Sequence, residues 1–581
     1  MAAPHVSILA VSAALSAMVA ASPLAAAEPS TVATQTVKLP GNAQFAAGTH
    51  KFSAALIPGG EFVRTADGVQ PATVEVTGNE GLVIDDGRFR TAKPVDLARG
   101  VTLDRGKSIS LYNKTPPDPS AAVALGAAPG GGYLLYTASQ VRQLFATGDA
   151  ALIRKAFTSA DAKGIAPEHL TEESVLAALS AANDVLRARG QMAWQLTAAS
   201  GDLVVNAGVF DFHSTNQNRI SADKGKLIWN AGKLTSQGGG GETTLQGTTS
   251  IDLLGGSIRS AGAVGGTASP IYYDPRQRLD RDRWTLGKYL ALVTDGDLNI
   301  GRNGHSGPDI QVSDGMLQIG QATRQVADPS TRSSTQHVNL RSGSLSLRGE
   351  HRSTLLALER GFDVVTIISG GTLSVSSAQS LIDTPTESPS MWNMQTLLED
   401  GTINLDNAQL VGTDNTVKGG LVNLAGLSAF YSPSGALTIS GGTFNVGPQS
   451  FIGAIKGDSK ARSPYPSAQQ DIVISGGTLN FGIVAPKPGE ALTVGMHIGG
   501  IFAGDNNPAK QSLPTLSIGK DTRINVDTSS LPVGRYRADG FASVEGGDGT
   551  LKIAEAIAVH NAKGKRIGRL DSDGNLTLQV K

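Results

Sequence analysis

A short strand–glycine–strand pattern returns along most of this chain. Each copy joins two or three alternating apolar residues, a turn that contains glycine and a second alternating run. The copies are DLVVNAGVFDF (202–212), GKLIWNAGKLTS (225–236), TSIDLLGGSIRSAG (249–262), PDIQVSDGMLQIG (308–320), HVNLRSGSLSLRG (337–349), VVTIISGGTLSVSS (364–377), GALTISGGTFNVG (435–447) and DIVISGGTLNFG (471–482). Apolar alternation with a period of two buries one face of a β-strand. Recurrence of so short a unit predicts a repeat architecture in which neighbouring units stack.

The turn of the repeat is itself repeated. Ser-Gly-Gly-Thr occurs at 369–372, 440–443 and 475–478. Glycine at a bend permits φ > 0, which predicts left-handed corners at Gly442 and Gly477. Two-residue glycine turns also close β-hairpins, so an antiparallel array is the alternative. Because identical turns can lie above one another in successive coils, we expect a right-handed parallel β-helix.

The spacing of the repeats predicts the size of a coil. Starts at 202, 225 and 250 lie 23 and 25 residues apart, which suits one coil of a parallel β-helix. Later starts at 364, 401, 436 and 471 lie 35 to 37 residues apart. The later coils are therefore expected to carry loops.

Composition narrows the class of protein. Glycine contributes 71 of 581 residues, about 12% against a usual ~7%. Charged residues are 17%, and 49 basic residues balance 50 acidic ones, so no bulk charge favours nucleic acid. The absence of cysteine excludes disulfides, thiol catalysis and cysteine-ligated zinc. These values fit short strands closed by tight turns.

The ends and the interruptions of the repeat define four regions. The apolar segment VSILAVSAALSAMVAA (6–21) and the small residues before Glu28 predict a signal peptide over residues 1–27, and no later window predicts a transmembrane segment. Residues 28–115 contain strand-like runs (ATVEVTG, GLVIDDGRFRT, GVTLDRGKSISLYN) that begin the solenoid as its cap. Residues 116–192 are predicted to be a linker and a helical insert, with helices near 139–146, 150–159 and 171–190. Residues 193–581 carry the β-helix repeats and a C-terminal cap.

Strings such as ISGGTLSV, ISGGTFNVG and VISGGTLNFG resemble the passenger regions of filamentous haemagglutinin-like exoproteins and autotransporters of Gram-negative bacteria. The resemblance covers roughly residues 200–530 and lies in the style of the repeat. It implies a right-handed β-helix and a role at the cell surface or outside the cell, such as adhesion. The chain lacks the asparagine-rich secretion signature and the terminal barrel strands of those families. The export route past the inner membrane therefore stays open.

Few residues point to chemistry. The run Asp571-Ser-Asp573-Gly-Asn575 has the look of a calcium loop without its bidentate glutamate, and a plain turn between two strands explains it better. Residues 545–551 match a single nonapeptide calcium repeat, which needs stacked copies. The charged run 274–284, which ends at Trp284, suits either an anionic glycan or a self-paired surface loop.

The remaining carboxylates and histidines are scattered. Single carboxylates are expected in turns at Asp85, Asp86, Asp202, Asp314 and Asp363, and the histidines show no metal-ligand spacing. We assign no catalytic, cofactor-binding or metal-binding residue and expect no cofactor. The sequence predicts an exported adhesin-like or structural β-helix protein whose partners are host or cell-surface glycans or proteins. We expect it at the cell surface or outside the cell rather than in the periplasm. A polysaccharide-active β-helix lyase or glycosidase is the alternative.

Overall fold

The fold is described from a computed structural model of the chain. The structure describes residues 37–38, 43–45, 48–53, 55–64, 71–91, 101–103, 107–109, 111–113, 123–128, 132–136, 142, 145–151, 171–173, 193–212, 218–237, 243–261, 288–313, 316–320, 336–349, 354–357, 364–377, 390–432, 436–453, 471–485, 495–498, 515–544 and 549–581.

Short strands make up nearly all of the regular structure in these ranges. Before residue 92 they are β1 (Val37–Lys38), β2 (Ala43–Phe45), β3 (Gly48–Phe52), β4 (Ala55–Ile57), β5 (Glu61–Arg64), β6 (Ala72–Val76), β7 (Leu82–Ile84) and β8 (Arg88–Thr91). Between residues 92 and 192 they are β9 (Val101–Leu103), β10 (Lys107–Ile109), β11 (Leu111–Asn113), β12 (Val123–Ala128) and β13 (Gly132–Tyr136).

The strands continue through the repeats. From residue 193 to 320 they are β14 (Trp194–Ala198), β15 (Leu203–Val205), β16 (Val209–Phe212), β17 (Asn218–Ala222), β18 (Lys226–Trp229), β19 (Lys233–Gln237), β20 (Thr243–Gly247), β21 (Ser250–Leu253), β22 (Ser257–Ala261), β23 (Lys288–Val293), β24 (Leu298–Ile300), β25 (Asp309–Ser313) and β26 (Met316–Gly320). From 336 to 453 they are β27 (Gln336–Leu340), β28 (Ser344–Gly349), β29 (Thr354–Ala357), β30 (Val364–Ser377), β31 (Ser390–Asp406), β32 (Gln409–Val417), β33 (Leu421–Ala425), β34 (Ala429–Tyr431), β35 (Ala436–Ile439), β36 (Thr443–Val446) and β37 (Phe451–Gly453).

The last strands lead to the C-terminus. They are β38 (Asp471–Ile474), β39 (Thr478–Gly482), β40 (Gly495–Ile498), β41 (Thr515–Ile518), β42 (Arg523–Asp527), β43 (Gly534–Ala538), β44 (Ala542–Val544), β45 (Thr550–Ile553), β46 (Ile557–His560), β47 (Arg566–Leu570) and β48 (Leu576–Val580).

The chain divides into two compact units. The first comprises Met1–Gly225, Lys233–Leu245 and Ala261–Tyr289, and the second comprises Lys226–Gly232, Gln246–Ser260 and Leu290–Lys581.

In the first unit, parallel strands stack in three series. They run β1–β4–β7–β15, β2–β5–β8–β16–β19 and β3–β6–β14–β17. The chain leaves the stack after β8 and returns at β14, which pairs directly with β6. Residues 92–192 therefore form an insertion that does not interrupt the pairing, and the strands before residue 92 belong to the same stack as the repeats.

A column of phenylalanines fills the interior of the first unit. Phe62, Phe89 and Phe210 face one another in register, and their rings stack with centroids 4.9 and 5.0 Å apart. Trp194 meets Phe89 edge-on at 5.7 Å. All four side chains are 0–1% exposed, so each contributes roughly 1.5–3 kcal/mol by burial.

In the second unit, three parallel series run side by side. Ladder A is β18–β21–β24–β27–β30–β31–β32–β35–β38–β41–β45. Ladder B is β25–β28–β30–β31–β33–β36–β39–β42–β46. Ladder C is β26–β29–β31–β32–β34–β37–β40–β44. The long strands β30, β31 and β32 bend and contribute a segment to two or three ladders each.

Alternation places the apolar side chains of ladder B in the interior. One inner column is at most 2% exposed and comprises Leu345, Leu373, Ile403, Val422, Phe444, Leu479, Ile524 and Val559. The predicted all-β fold with stacked parallel strands is confirmed for the described repeats. The antiparallel alternative is wrong there, because every pairing described between repeat strands is parallel.

The chain ends in an antiparallel sheet. Strand β46 pairs in parallel with β42 but antiparallel with β47, and β47 and β43 both flank β48 antiparallel. Leu570, Leu576 and Leu578 are fully buried within it. This sheet closes ladder B at its C-terminal end, where a C-terminal cap was predicted.

The structure corrects two expectations about the insertion. The run GVTLDRGKSISLYN does not join the stack, since β9 and β10 form their own antiparallel hairpin and β11 pairs antiparallel with β12. Residues 123–128 and 132–136, which lie in the region predicted as a linker and helical insert, are the strands β12 and β13. Most residues of the three predicted helices lie outside the described ranges. The few described there, such as Arg142 and Phe145, have helical backbone.

The expected coil spacing of 35 residues is found where Ala436 faces Asp471, but it is wrong between residues 401 and 436. Between the predicted starts at 401 and 436 the structure contains a further set of strands, β32, β33 and β34. Facing residues there are only 19 and 22 residues apart, as Asn404–Asn423 and Asn423–Asn445 show. The turns of this coil use Asn407 and Lys418-Gly419-Gly420 in place of Ser-Gly-Gly. The Ser-Gly-Gly pattern therefore does not predict them.

Candidate functional surface

The structure accounts for the predicted turn at Asp571. Its Oδ1 accepts hydrogen bonds from the backbone N–H of Asp573 (3.1 Å) and Asn575 (2.8 Å). The turn joins the antiparallel strands β47 and β48. A turn between two strands was predicted here, and one is present. The charged run 274–284 and most of 545–551 lie outside the described residues.

Two of the described turn carboxylates accept hydrogen bonds from neighbouring residues. Asp85 accepts a hydrogen bond from Asn206 Nδ2 at 2.8 Å, and Asp86 accepts one from the N–H of Gly87 at 2.7 Å. His337 Nδ1 lies 3.3 Å from Asp297 Oδ1 on an exposed edge. Within the described ranges no three histidine or acidic side chains are close enough to share a metal ion. Asp314 and Asp363 lie outside those ranges.

An unbroken row of asparagines runs along the outer face of ladder B. The asparagine row comprises Asn404, Asn423, Asn445, Asn480 and Asn525, one from each of β31, β33, β36, β39 and β42. Each Nδ2 donates to the Oδ1 of the preceding member, at 2.8, 2.7, 2.8 and 2.8 Å. Asn404 Nδ2 donates to Ser374 Oγ at 3.3 Å, and Arg523 Nε donates to Asn525 Oδ1 at 3.4 Å. All five amides therefore point the same way along the stack.

Strand register puts these amides within hydrogen-bond reach. Parallel neighbours lie about 4.8 Å apart, and identical side chains in register meet across that gap. Each asparagine stands between two buried apolar residues of its strand, as Asn445 does between Phe444 and Val446. Alternation thus turns the asparagines outward, and Asn445 is exposed.

A second outer column runs beside the asparagine row. It comprises Ser344, Thr372, Thr402, Leu421, Thr443, Thr478 and Arg523. The pattern T-x-N in β31, β36 and β39 therefore encodes both columns. The Ser-Gly-Gly turn alone does not reveal this pattern, because the threonines and asparagines lie on the strand that follows the turn. Aligning the repeats on Thr443 and Thr478 and reading two residues onward would have found it.

The centre of this surface carries no charge. Across β33, β36 and β39 the outward residues are Leu421, Asn423, Ala425, Thr443, Asn445, Thr478, Asn480 and Gly482. Among the described residues of these strands, charged side chains occur at the two ends of the face, with Asp406 on β31 and with Arg523 and Asp527 on β42. The surface thus offers hydroxyl and amide groups without a net field.

A shorter amide row lies on ladder A. Asn339 Nδ2 donates to Asn299 Oδ1 at 3.0 Å, and Asn299 Nδ2 donates to Asp252 Oδ1 at 2.7 Å. Asn339 is only 8% exposed, so this row is the more enclosed of the two. It ends in register with Ile367, where no amide continues it.

Among the described residues, no helix is both long and apolar enough to cross a bilayer. Comparison with protein-family models, curated proteins and solved structures finds no match to this chain.

Proposed function

We propose that the chain is an exported protein whose strands wind as a right-handed parallel β-helix and that it acts at the cell surface as an adhesin-like or structural protein. The observation that carries this proposal is the set of three parallel ladders in the second unit. Ladder B buries an apolar inner column and turns polar side chains outward. Such a stack builds a long, regular surface from short repeats.

The outer surface supports binding more than catalysis. Hydrolysis of a glycosidic bond needs two carboxylates held on either side of that bond. The described turn carboxylates Asp85 and Asp86 are instead engaged with Asn206 and Gly87. The outward columns of ladder B carry amides and hydroxyls, which bind hydroxyl-rich partners through hydrogen bonds.

Export is supported by the N-terminal sequence and by composition. The apolar segment 6–21 followed by Ala25-Ala26-Ala27 matches a signal peptide. A chain without cysteine threads through a narrow pore without a covalent cross-link to obstruct it. With the haemagglutinin-like style of the repeats, these features favour the cell surface over the periplasm.

Protease treatment of intact cells of the native host tests the placement. Surface display predicts that external protease digests the chain while a periplasmic marker protein stays intact. Protection in whole cells, with digestion only after the outer membrane is opened, would place the chain in the periplasm and end the adhesin proposal.

Adhesion itself is tested by comparing host cells with and without the gene for binding to glycan-coated and protein-coated surfaces. The proposal predicts a loss of adherence in the deletion strain that the intact gene restores. Turnover of any glycan by the purified chain, abolished by replacing a carboxylate on one coil face, would favour the polysaccharide-active alternative instead.

A further inference from the structure

We propose that the outer face of ladder B between β33 and β42 is a binding surface for an uncharged, extended polysaccharide that lies along the asparagine row. This inference rests on the proposed role as an adhesin-like surface protein and names the site and the chemical class of its ligand.

The free hydrogen-bonding capacity of the row is the first argument. An amide side chain has two N–H donors and an acceptor oxygen with two lone pairs. Asn423, Asn445 and Asn480 each use one N–H and one lone pair on their neighbours in the row. Each therefore keeps one donor and one acceptor for solvent or a ligand. A pair of sugar hydroxyls, which both donate and accept, complements such an amide.

Repetition is the second argument. The spare donor and acceptor recur at every strand, about 4.8 Å apart, with the Thr443 and Thr478 hydroxyls beside them. The asparagine side chains are already ordered by their own hydrogen bonds, so little conformational entropy is lost when a ligand binds. A β-1,4-linked glycan in its extended form presents hydroxyls at a similar regular repeat. One glycan molecule could thus contact several successive asparagines at once, and the binding free energies of these weak contacts would add up.

The lack of charge on the centre of this face favours a neutral ligand over an acidic one. The described outward residues of β33, β36 and β39 are uncharged. An acidic polysaccharide gains no ion pair from these residues, and a nucleic acid finds no basic side chain among them. A neutral glycan forms no ion pairs, so the absence of charged side chains does not weaken its binding.

The described residues leave the centre of this face accessible. Between ladders A and B the chain turns within three or four residues, at 440–442, 475–477 and 519–522. The hydrogen bonds of Asn445 to both neighbours in the row are correspondingly solvent-exposed.

Calorimetric titration of the full chain with cellohexaose, xylohexaose and mannohexaose tests the inference, with oligogalacturonate as the acidic comparison. The double variant Thr443→Lys/Thr478→Lys crowds the face without removing an asparagine. Its matched control is Thr416→Lys/Thr438→Lys, an adjacent outward threonine pair on ladder A. We expect at least one neutral hexasaccharide to bind, with a Kd that rises about tenfold or more in the first variant and stays within about twofold in the control. The Kd should not change between low and high salt.

Other outcomes overturn the inference. Absence of binding to all three neutral hexasaccharides, equal loss of affinity in both double variants, or tighter and salt-dependent binding of oligogalacturonate would each do so. These results are distinct from failure of the proposed function. A chain displayed at the cell surface and required for adherence, but indifferent to Thr443→Lys/Thr478→Lys, would keep that function and lose this site.

Discussion

At the residue scale, glycine corners hold the stack together at its tightest points. Gly442 and Gly477 have φ of 77° and 89°, as the Ser-Gly-Gly-Thr turns predict. A Cβ on Gly442 would lie 2.6 Å from the carbonyl oxygen of Gly419 in the preceding coil, and one on Gly477 would lie 2.8 Å from that of Gly441. These positions need glycine for its backbone angle and for the close approach of the next coil.

Replacing Gly442 with alanine should separate these two demands. Gly304 has a nearly identical φ of 75° in an exposed loop, but its Cβ would meet nothing within 4 Å. We expect Gly304→Ala to cost about 1 kcal/mol from backbone strain alone. Gly442→Ala should cost about 3 kcal/mol or more, because the coils must also move apart. Thermal and denaturant unfolding of both variants measure the difference. Equal loss of stability would mean that coil contact at Gly442 is not close.

One corner shows why part of the fold could not be predicted from the sequence. Asn407 takes the left-handed conformation (φ 48°) in place of glycine, and its Oδ1 accepts a hydrogen bond from the N–H of Leu427 in the next coil. Asparagine is the residue that best tolerates this region after glycine. Its presence in a strand-rich run is too common to mark a corner by itself.

At the element scale, apolar alternation predicted strands well wherever it was regular. It failed around β31 and β32, where two inward positions of ladder A are Thr396 and Asn415, both at most 2% exposed. Polar residues at buried positions erase the period-two pattern on which the prediction depends. The asparagine row was equally hidden, since it exists only after five strands from separate coils are brought into register.

The asparagine row should behave as a chain of coupled pairs. Asn445→Ala removes two hydrogen bonds, to Asn423 and from Asn480, and we expect it to cost about 1–2 kcal/mol. Thr443→Ala, on the same face of the same strand, should cost less, about 0.5 kcal/mol. In double-mutant cycles, Asn423 and Asn445 should couple by about 0.5–1 kcal/mol, whereas Asn423 and Asn480, which share no bond, should be additive.

These free energies are obtained from denaturant unfolding followed by circular dichroism. Coupling between Asn423 and Asn480 as strong as that between Asn423 and Asn445 would show that the amides do not act through direct neighbours. Full additivity for both pairs would show that the row contributes nothing beyond its separate side chains.

At the scale of the whole molecule, the C-terminal sheet protects an edge. Strand β42 would otherwise present unpaired backbone groups flanked by the apolar residues Ile524 and Val526. An open strand edge of this kind pairs with other chains. The antiparallel strands β46, β47, β48 and β43 change the direction of pairing and so end the parallel series.

Truncation after Asp527 should therefore cause self-association. The shortened chain lacks β43–β48 and leaves the edge of β42 open. We expect light scattering to show concentration-dependent oligomers, while removal of Lys581 alone, which is exposed, leaves the particle size unchanged. A truncated chain that stays monomeric at high concentration would show that β42 is protected by something other than the C-terminal sheet.

The uniform direction of the asparagine row has a consequence for how such a chain can change its length. In every coil from β33 to β39, the asparagine donates one hydrogen bond to the preceding coil and accepts one from the following coil. Each asparagine therefore fits any neighbouring coil that carries an asparagine at the same position. Duplication or loss of one such coil would restore the same contacts at the new junction. Only the two ends, at Ser374 and Arg523, are specialised. Gene segments that encode whole coils of this kind can therefore be duplicated or lost with the asparagine row intact, provided that the two end coils are kept.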